Sequence, residues 1–231
     1  MQHLLLFPTL VTTEKFNVTP EEKDLWFDAY MKHSRPDGTT HDFLGFERVH
    51  HEESLEFFFK LKLMPALRQY LAALHIEIDN FDVHITKTFF NVTEHNGILQ
   101  HNHEENHISF TYYPNVAPGT ERELCFFHPN NMHGNEPYSK WFHEVVNDWD
   151  HVNARSYTVP VQEGTLYIFP SKLDHDIVKG ENDTSYVKGF KTKEELANSR
   201  FCVAGDMILT KTRPGPYRRS LPRVEDWRKF K

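Results

Sequence analysis

No part of this sequence is apolar for long: the longest runs, such as Leu4-Leu5-Leu6-Phe7, fall far short of the ~20 residues that a membrane span requires. No charged stretch followed by an apolar run leads to a small-residue cleavage site either, so a cytoplasmic protein without membrane attachment is expected. Cysteine is nearly absent. Cys125 and Cys202 each sit in an apolar, strand-like stretch, which suits buried free thiols in a reducing compartment rather than a disulfide framework. Positive charge is also in deficit. With 26 Lys and Arg against 33 Asp and Glu, the formal net charge is −7. That balance argues against a surface for nucleic acid, whose affinity comes from clustered cations that displace counterions. The one local exception is the basic tail over 211–231, where Arg213, Arg218, Arg219, Arg223, Arg228 and Lys229 lie among prolines and read as a solvated segment. Internal repeats and low-complexity stretches are missing, which excludes solenoid and fibrous architectures.

What is plentiful is aromatic side chain, with 19 Phe, 9 Tyr and 4 Trp in 231 residues. That is enough for a large core, in a length that one all-β domain with added helices occupies. A single domain is expected over 1–231, made of helical N-terminal support (1–80), a β core (81–210) and the basic tail (211–231). Leu4 to Val11 reads as an opening strand. Thr19-Pro20-Glu21-Glu22 then supplies an N-cap, a proline in the first turn and acids beside the helix N-terminus, so a helix should run to about His33. A second helix is expected from Glu52 to Leu74, with Leu55, Phe58, Phe59, Leu63, Leu67, Tyr70, Leu71 and Leu74 as its apolar stripe and Pro65 kinking or dividing it.

After Ile76 the texture changes to short strand-like runs: 81–85, 88–92, 108–113, 124–127, 156–159, 165–169 and 201–209. Strands of this number and spacing mean a sandwich or barrel, here with helices packed on one side. The stretch 130–153, with Trp141, Phe142, Val145, Val146 and Trp149, reads as a helical insertion or lid.

Sixteen histidines are roughly three times what ordinary usage of about 2% would supply. His33, His41, His50 and His51 lie in polar surroundings and read as exposed rings. The informative ones cluster in two places. Gln100-His101-Asn102-His103-Glu104-Glu105 precedes the strand at 108, and Phe169-Pro170-Ser171-Lys172-Leu173-Asp174-His175 follows the strand at 165. On an extended segment residues i and i+2 point to one side, so either His101 with His103 or His103 with Glu105 can reach one ion, with His175 closing the site. Two imidazoles plus a carboxylate or a third imidazole, with open positions opposite, favour Fe(II).

The run Glu163-Gly164-Thr165 through Phe169-Pro170-Ser171 to His175 resembles the distal metal segment of the 2-oxoglutarate- and Fe(II)-dependent oxygenases, close to the group common in marine phages and bacteria. Phe90-Asn91-Val92, Gly97, His101-Asn102-His103, Ser109 and Tyr112-Tyr113 are similar to the proximal one, so the resemblance spans roughly 84–210. It implies a double-stranded β-helix, or jelly roll. It implies Fe(II) as metal, with 2-oxoglutarate and O₂ as cosubstrates. It implies that Arg200 holds the distal carboxylate of 2-oxoglutarate, as a planar guanidinium can, with Asn91, Ser109 and Tyr112 as supports. The family's usual His-x-Asp or His-x-Glu fits only His103 and Glu105, whereas the closer group's His-Asn-His fits His101 and His103. The resemblance therefore implies either His101, His103 and His175 as the metal ligands or, with Glu105 as the alternative, a site of two histidines and one carboxylate, and the three histidines are the expected set. Arg200 stands farther beyond His175 than a short turn requires, so 180–199 should be an insertion over the site.

The implied activity is hydroxylation of a small-molecule or peptidyl substrate, with succinate and CO₂ as co-products, in the host cytoplasm if phage-encoded. Two other classes share parts of this pattern. A non-catalytic jelly roll, cupin-like or virion-associated, would give Arg200 no role. A three-histidine isomerase or thiol dioxygenase would need no 2-oxoglutarate.

Overall fold

The strand Ile108–Val116 is buried along nearly its whole length, as a strand is when both of its faces are covered. One face meets helices and the other a second sheet. The computed structural model describes residues 9–40, 48–93, 98–129, 154, 156–178, 189–212 and 221–229. Among them the strands are β1 (Thr12–Lys15), β2 (Phe81–Thr93), β3 (Ile98–His101), β4 (Ile108–Val116) and β5 (Leu124–Phe127), then β6 (Ser156–Val159), β7 (Thr165–Pro170), β8 (His175–Ile177) and β9 (Arg200–Lys211). They form a five-stranded sheet in the order β1-β7-β4-β9-β2 and a four-stranded sheet in the order β3-β8-β5-β6. All the strand pairs are antiparallel. This is the expected mainly β jelly roll with N-terminal helices on one sheet.

Parity along the strands of the larger sheet decides what each side chain meets. In one cross-strand row Phe90 and Tyr112 both pair with Val203, and in the next Phe89 and Thr111 both pair with Ala204. The first row packs under helix α1 (Pro20–His33), where Trp26, Phe58 and Tyr112 are fully buried in one cluster. Each such side chain is worth about 1.5–3 kcal/mol of burial. The second row faces the smaller sheet, among Phe169, Leu124, Phe126 and Ile177. Helix α1 has the bounds that its cap implies, with the Thr19 hydroxyl accepting from Glu22 N–H at 3.2 Å.

The structure departs from expectation in several places. Residues 1–8, most of the expected opening strand, lie outside the described residues, and the strand seen is β1, paired with β7. It makes the N-terminal segment part of the larger sheet as well as its helical support. The second helix is broken into the short α2 (Glu56–Phe58), a π-helical turn (Phe59–Leu63) and α3 (Met64–Ala73). Pro65 has no N–H to return to the carbonyl four residues back, and the wider turn takes up the lost register. The stripe is buried except at its end, where Leu74 is 39% exposed. The runs at 81–85 and 88–92 are one strand, bulged between Ile85 and Lys87.

Three of the four histidines read as exposed are described. His51 is exposed, whereas His33 meets Glu52 at 2.5 Å and His50 packs on Thr88 at 2.9 Å. His41, the segment 130–153 and residues 213–220 of the tail fall outside the described residues. Of the expected insertion over the site, 189–199 is described and lies elsewhere. Phe190 and Leu196 join the core under α1, helix α4 (Lys193–Ala197) pairs Lys193 with Asp28 at 2.7 Å, and the Asn115 amide donates to three carbonyls at the end of that helix. Cys125 and Cys202 are buried free thiols.

Candidate metal centre

His101 ends β3, His103 follows it by two residues, and His175 begins β8, which pairs with β3 so that His101 and His175 stand opposite each other. The local chemistry that holds this corner is polar. Asp174, one residue before His175, accepts from the Asn102 amide at 2.6 Å and the Gln100 amide at 2.9 Å, while His103 N–H donates to the Ser171 carbonyl at 2.8 Å. Asn102 and Asp174 thus clasp the two histidine segments on the side away from the rings. Gly164 immediately precedes β7 at φ +78°, and a Cβ there would meet the Phe16 carbonyl oxygen, so the turn into the distal segment needs glycine.

One ring nitrogen from each of His101, His103 and His175 lies within 4.8 Å of the other two, and the group could hold a metal ion. Every Nδ1 has an acceptor. His101 Nδ1 donates to the Leu99 carbonyl at 2.8 Å, His175 Nδ1 to the Leu173 carbonyl at 2.9 Å, and His103 Nδ1 to the Asp206 carboxylate at 2.6 Å. A proton held at each Nδ1 leaves the lone pair on each Nε2, which makes Nε2 the ligand atom on all three rings. Burial lowers the His101 pKa and, with the neighbouring imidazoles, takes His175 down to about 4, so these rings need not shed a proton before binding a cation. Glu105 is exposed and outside the group. The chain turns just after His103, with Asn106 N–H bonding back to the His103 carbonyl, and the two-residue alternation that would aim Glu105 at the ion ends there.

The histidines line a cavity between the sheets together with Phe89, Asn91, Ser109, Thr111, Tyr113, Phe169, Arg200 and Cys202, among others. Asn91, Ser109 and Arg200 are therefore brought to the site. Tyr112 is not. It lies on the opposite face of β4, stacked on Phe58 with ring centroids 4.5 Å apart, and Tyr113 takes the inward position. Parity would have shown this, because Ser109, Thr111 and Tyr113 share one face. Arg200 is fully buried, and among the described residues none of its three guanidinium nitrogens has a hydrogen-bond partner. The hydroxyls of Thr111 and Tyr113 line the same cavity and are buried without a hydrogen-bond partner among the described residues.

Sequence reasoning missed Asp206, which is fully buried. Burial alone would raise its pKa, but His103, Ser109 and Lys87 together hold it below the ordinary carboxylate range. The available signal was an acid in an apolar strand, at the same parity as Arg200, Cys202 and Ala204.

Low pH should unfold the metal-free protein more readily. His50 and His175 both fall to about 4 in the folded chain, chiefly through burial, so below the unfolded pKa of about 6.5 the unfolded chain binds more protons. Stability should decline between about pH 6.5 and 4, by up to about 1.4 kcal/mol per pH unit for His175 and less for half-buried His50. Urea unfolding with chelator present, at several pH values, checks this against His175→Gln. An equal slope in the variant would mean that the ring is not held neutral.

Residues 89–187 match the family model described as “Putative 2OG-Fe(II) oxygenase”. That span runs from within β2 to beyond β8 and contains all three histidines, while Arg200 and Asp206 lie outside it. No curated protein matches the sequence. Among solved structures the chain is similar to the non-heme alpha ketoglutarate dependent epimerase SnoN from nogalamycin biosynthesis. The TM-score is 0.53 at 10% identity, covering 94% of this chain and 91% of that one. It is also similar to the alpha ketoglutarate dependent carbocyclase SnoK from the same biosynthesis, with TM-score 0.51 at 11% identity, covering 90% and 84%. At these identities the likeness establishes a shared fold.

Proposed function

We propose, from the match of residues 89–187 to the 2OG-Fe(II) oxygenase model, that this chain is an oxidoreductase of that class, an Fe(II)- and 2-oxoglutarate-dependent dioxygenase that hydroxylates a small-molecule or peptidyl substrate. His101, His103 and His175 would hold the metal, and Arg200 the distal carboxylate of 2-oxoglutarate. The observation that carries this reading is the cavity's polarity: it is lined both by three imidazoles presenting Nε2 and by a fully buried guanidinium that has no hydrogen-bond partner among the described residues. A cation left unpaired in the interior is costly, and a planar, doubly acceptor-rich anion such as a carboxylate satisfies it. The donor set fits Fe(II), since three neutral nitrogen ligands leave positions open for a chelating cosubstrate and an oxidant.

When bound, Fe(II) with 2-oxoglutarate and O₂ supplies the oxidising power for hydroxylation, with succinate and CO₂ as co-products. The chain's own part is placement and shelter. Arg200, with the Thr111 and Tyr113 hydroxyls, would anchor the dicarboxylate in this cavity. Asn91 faces the same space from the neighbouring strand, and Ser109 joins the wall below His103. The Phe89 and Phe169 rings exclude water around the histidines, with Phe169 centred 4.9 Å from the His175 ring. Burial keeps the Tyr113 hydroxyl protonated far above neutral pH, so it serves as a donor to an anion.

Anaerobic addition of Fe(II) and then 2-oxoglutarate to metal-free protein tests the reading. A weak visible charge-transfer band near about 500 nm should appear only when both are present, as an N/O-ligated open iron site gives. Iron binding without that band would remove 2-oxoglutarate from the mechanism.

A further inference from the structure

In an iron site built from two histidines and a carboxylate, the protein itself supplies one negative charge to the metal. The three imidazoles here supply none. The register of the larger sheet nevertheless puts a carboxylate beside them, because Asp206 pairs with Lys87 of β2 on one side and Ser109 of β4 on the other. All three side chains stand in one inward row. Asp206 Oδ1 accepts from His103 Nδ1 at 2.6 Å and from the Ser109 hydroxyl at 2.5 Å, while Ser109 in turn lies 3.0 Å from the Ser171 hydroxyl. The Lys87 ammonium sits 3.1 Å from Oδ2, an ion pair without hydrogen-bond alignment.

We propose that Asp206 is the positioning residue that gives this three-histidine centre its negative charge, acting through His103, with Lys87 setting how much of that charge the ring receives. The inference rests on the metal assignment above. Its physical basis is the cost of a carboxylate with no exposure to water, which needs compensating partners. A serine and a lysine would serve for that, yet the shortest nitrogen contact is to the one of these three histidines whose Nδ1 does not bond a backbone carbonyl. A carboxylate at Nδ1 makes Nε2 a stronger donor and fixes the ring's orientation. His101 and His175, bonded to carbonyls, receive orientation without charge.

Asp206→Asn keeps an acceptor for Nδ1–H and removes only the charge. Fe(II) affinity should fall about 10–100-fold, and the Fe(III)/Fe(II) midpoint potential should rise, because loss of a nearby negative charge disfavours the ferric state. Lys87→Met, at a side chain that is 28% exposed, keeps a usable second variant should Asp206→Asn fold poorly, and it should lower the potential. Shifts of opposite sign support the proposal, since a purely structural role predicts weaker binding for both. An unchanged potential and affinity in Asp206→Asn, or in Lys87→Met if that alone folds, overturn it while leaving the oxygenase reading intact. Failure of the unmodified protein to bind Fe(II) would sink both.

Discussion

His175→Ala should weaken Fe(II) binding by more than the roughly 10–100-fold that loss of a supporting hydrogen bond brings, while Glu105→Ala should bind as the unmodified chain does. The contrast follows from placement. His175 is buried and faces His101 at a ring separation of 4.4 Å, whereas Glu105 is exposed beyond the turn. His175 is also the proposed ligand whose loss is easiest to interpret. Its ring is held neutral and gives up only one hydrogen bond, to the Leu173 carbonyl, so the metal-free variant should keep most of its stability. His103→Ala would instead leave the buried Asp206 carboxylate without its hydrogen bond from the imidazole, a defect that costs about 3–5 kcal/mol in comparable pairs. Iron titration followed by calorimetry, beside thermal melts of the metal-free proteins, separates the two effects. Iron binding by His175→Ala at near-normal affinity would move the metal elsewhere.

Much of this arrangement was legible because its signals are local. A proline in the first turn and a hydroxyl cap placed α1, and strings such as Thr165–Phe169 and Leu124–Phe127 read as strands from their composition. The strands that carry the proposed metal ligands were not legible. Residues 98–101 and 175–177 are too short and too polar to show a period of two, and they become strands by pairing with each other and with β5. His101 and His103 were visible as a pair, but the choice between His101 and Glu105 needed the turn after His103, which no spacing rule supplies.

Tyr112 and Tyr113 show another limit. Adjacent residues of a strand point to opposite layers, so a motif quoted as a pair does not say which member enters the cavity. Counting parity from Ser109 resolves it. The same counting on β9 aligns Arg200 with Asp206 and would have drawn attention to an acid that composition alone hides. The position of 189–199 was harder to foresee, since its covering of the helical layer depends on Phe190 and Leu196 finding space beneath α1.

Arg200→Met is expected to make the metal-free protein more stable and the cosubstrate complex weaker. The guanidinium is fully buried and, among the described residues, lacks any hydrogen-bond partner, so it carries a desolvation cost that no hydrogen bond from these residues offsets. A methionine of similar length fills the space beside Cys202 and Tyr113 without that cost. Each 1 kcal/mol gained should raise the melting temperature by about 2–4 °C in a chain of this size. Affinity for 2-oxoglutarate should move the other way. Two charge-assisted hydrogen bonds at about 1.5–3 kcal/mol each correspond to roughly 100-fold or more, read from titration of the visible band with Fe(II) present. Iron affinity itself should not change, because Arg200 touches none of the three imidazoles in the contacts seen here. A variant that is both less stable and unaltered in cosubstrate affinity would make Arg200 an ordinary structural cation. Opposed changes would mean that the fold tolerates an unpaired charge at this position because the bound carboxylate completes it.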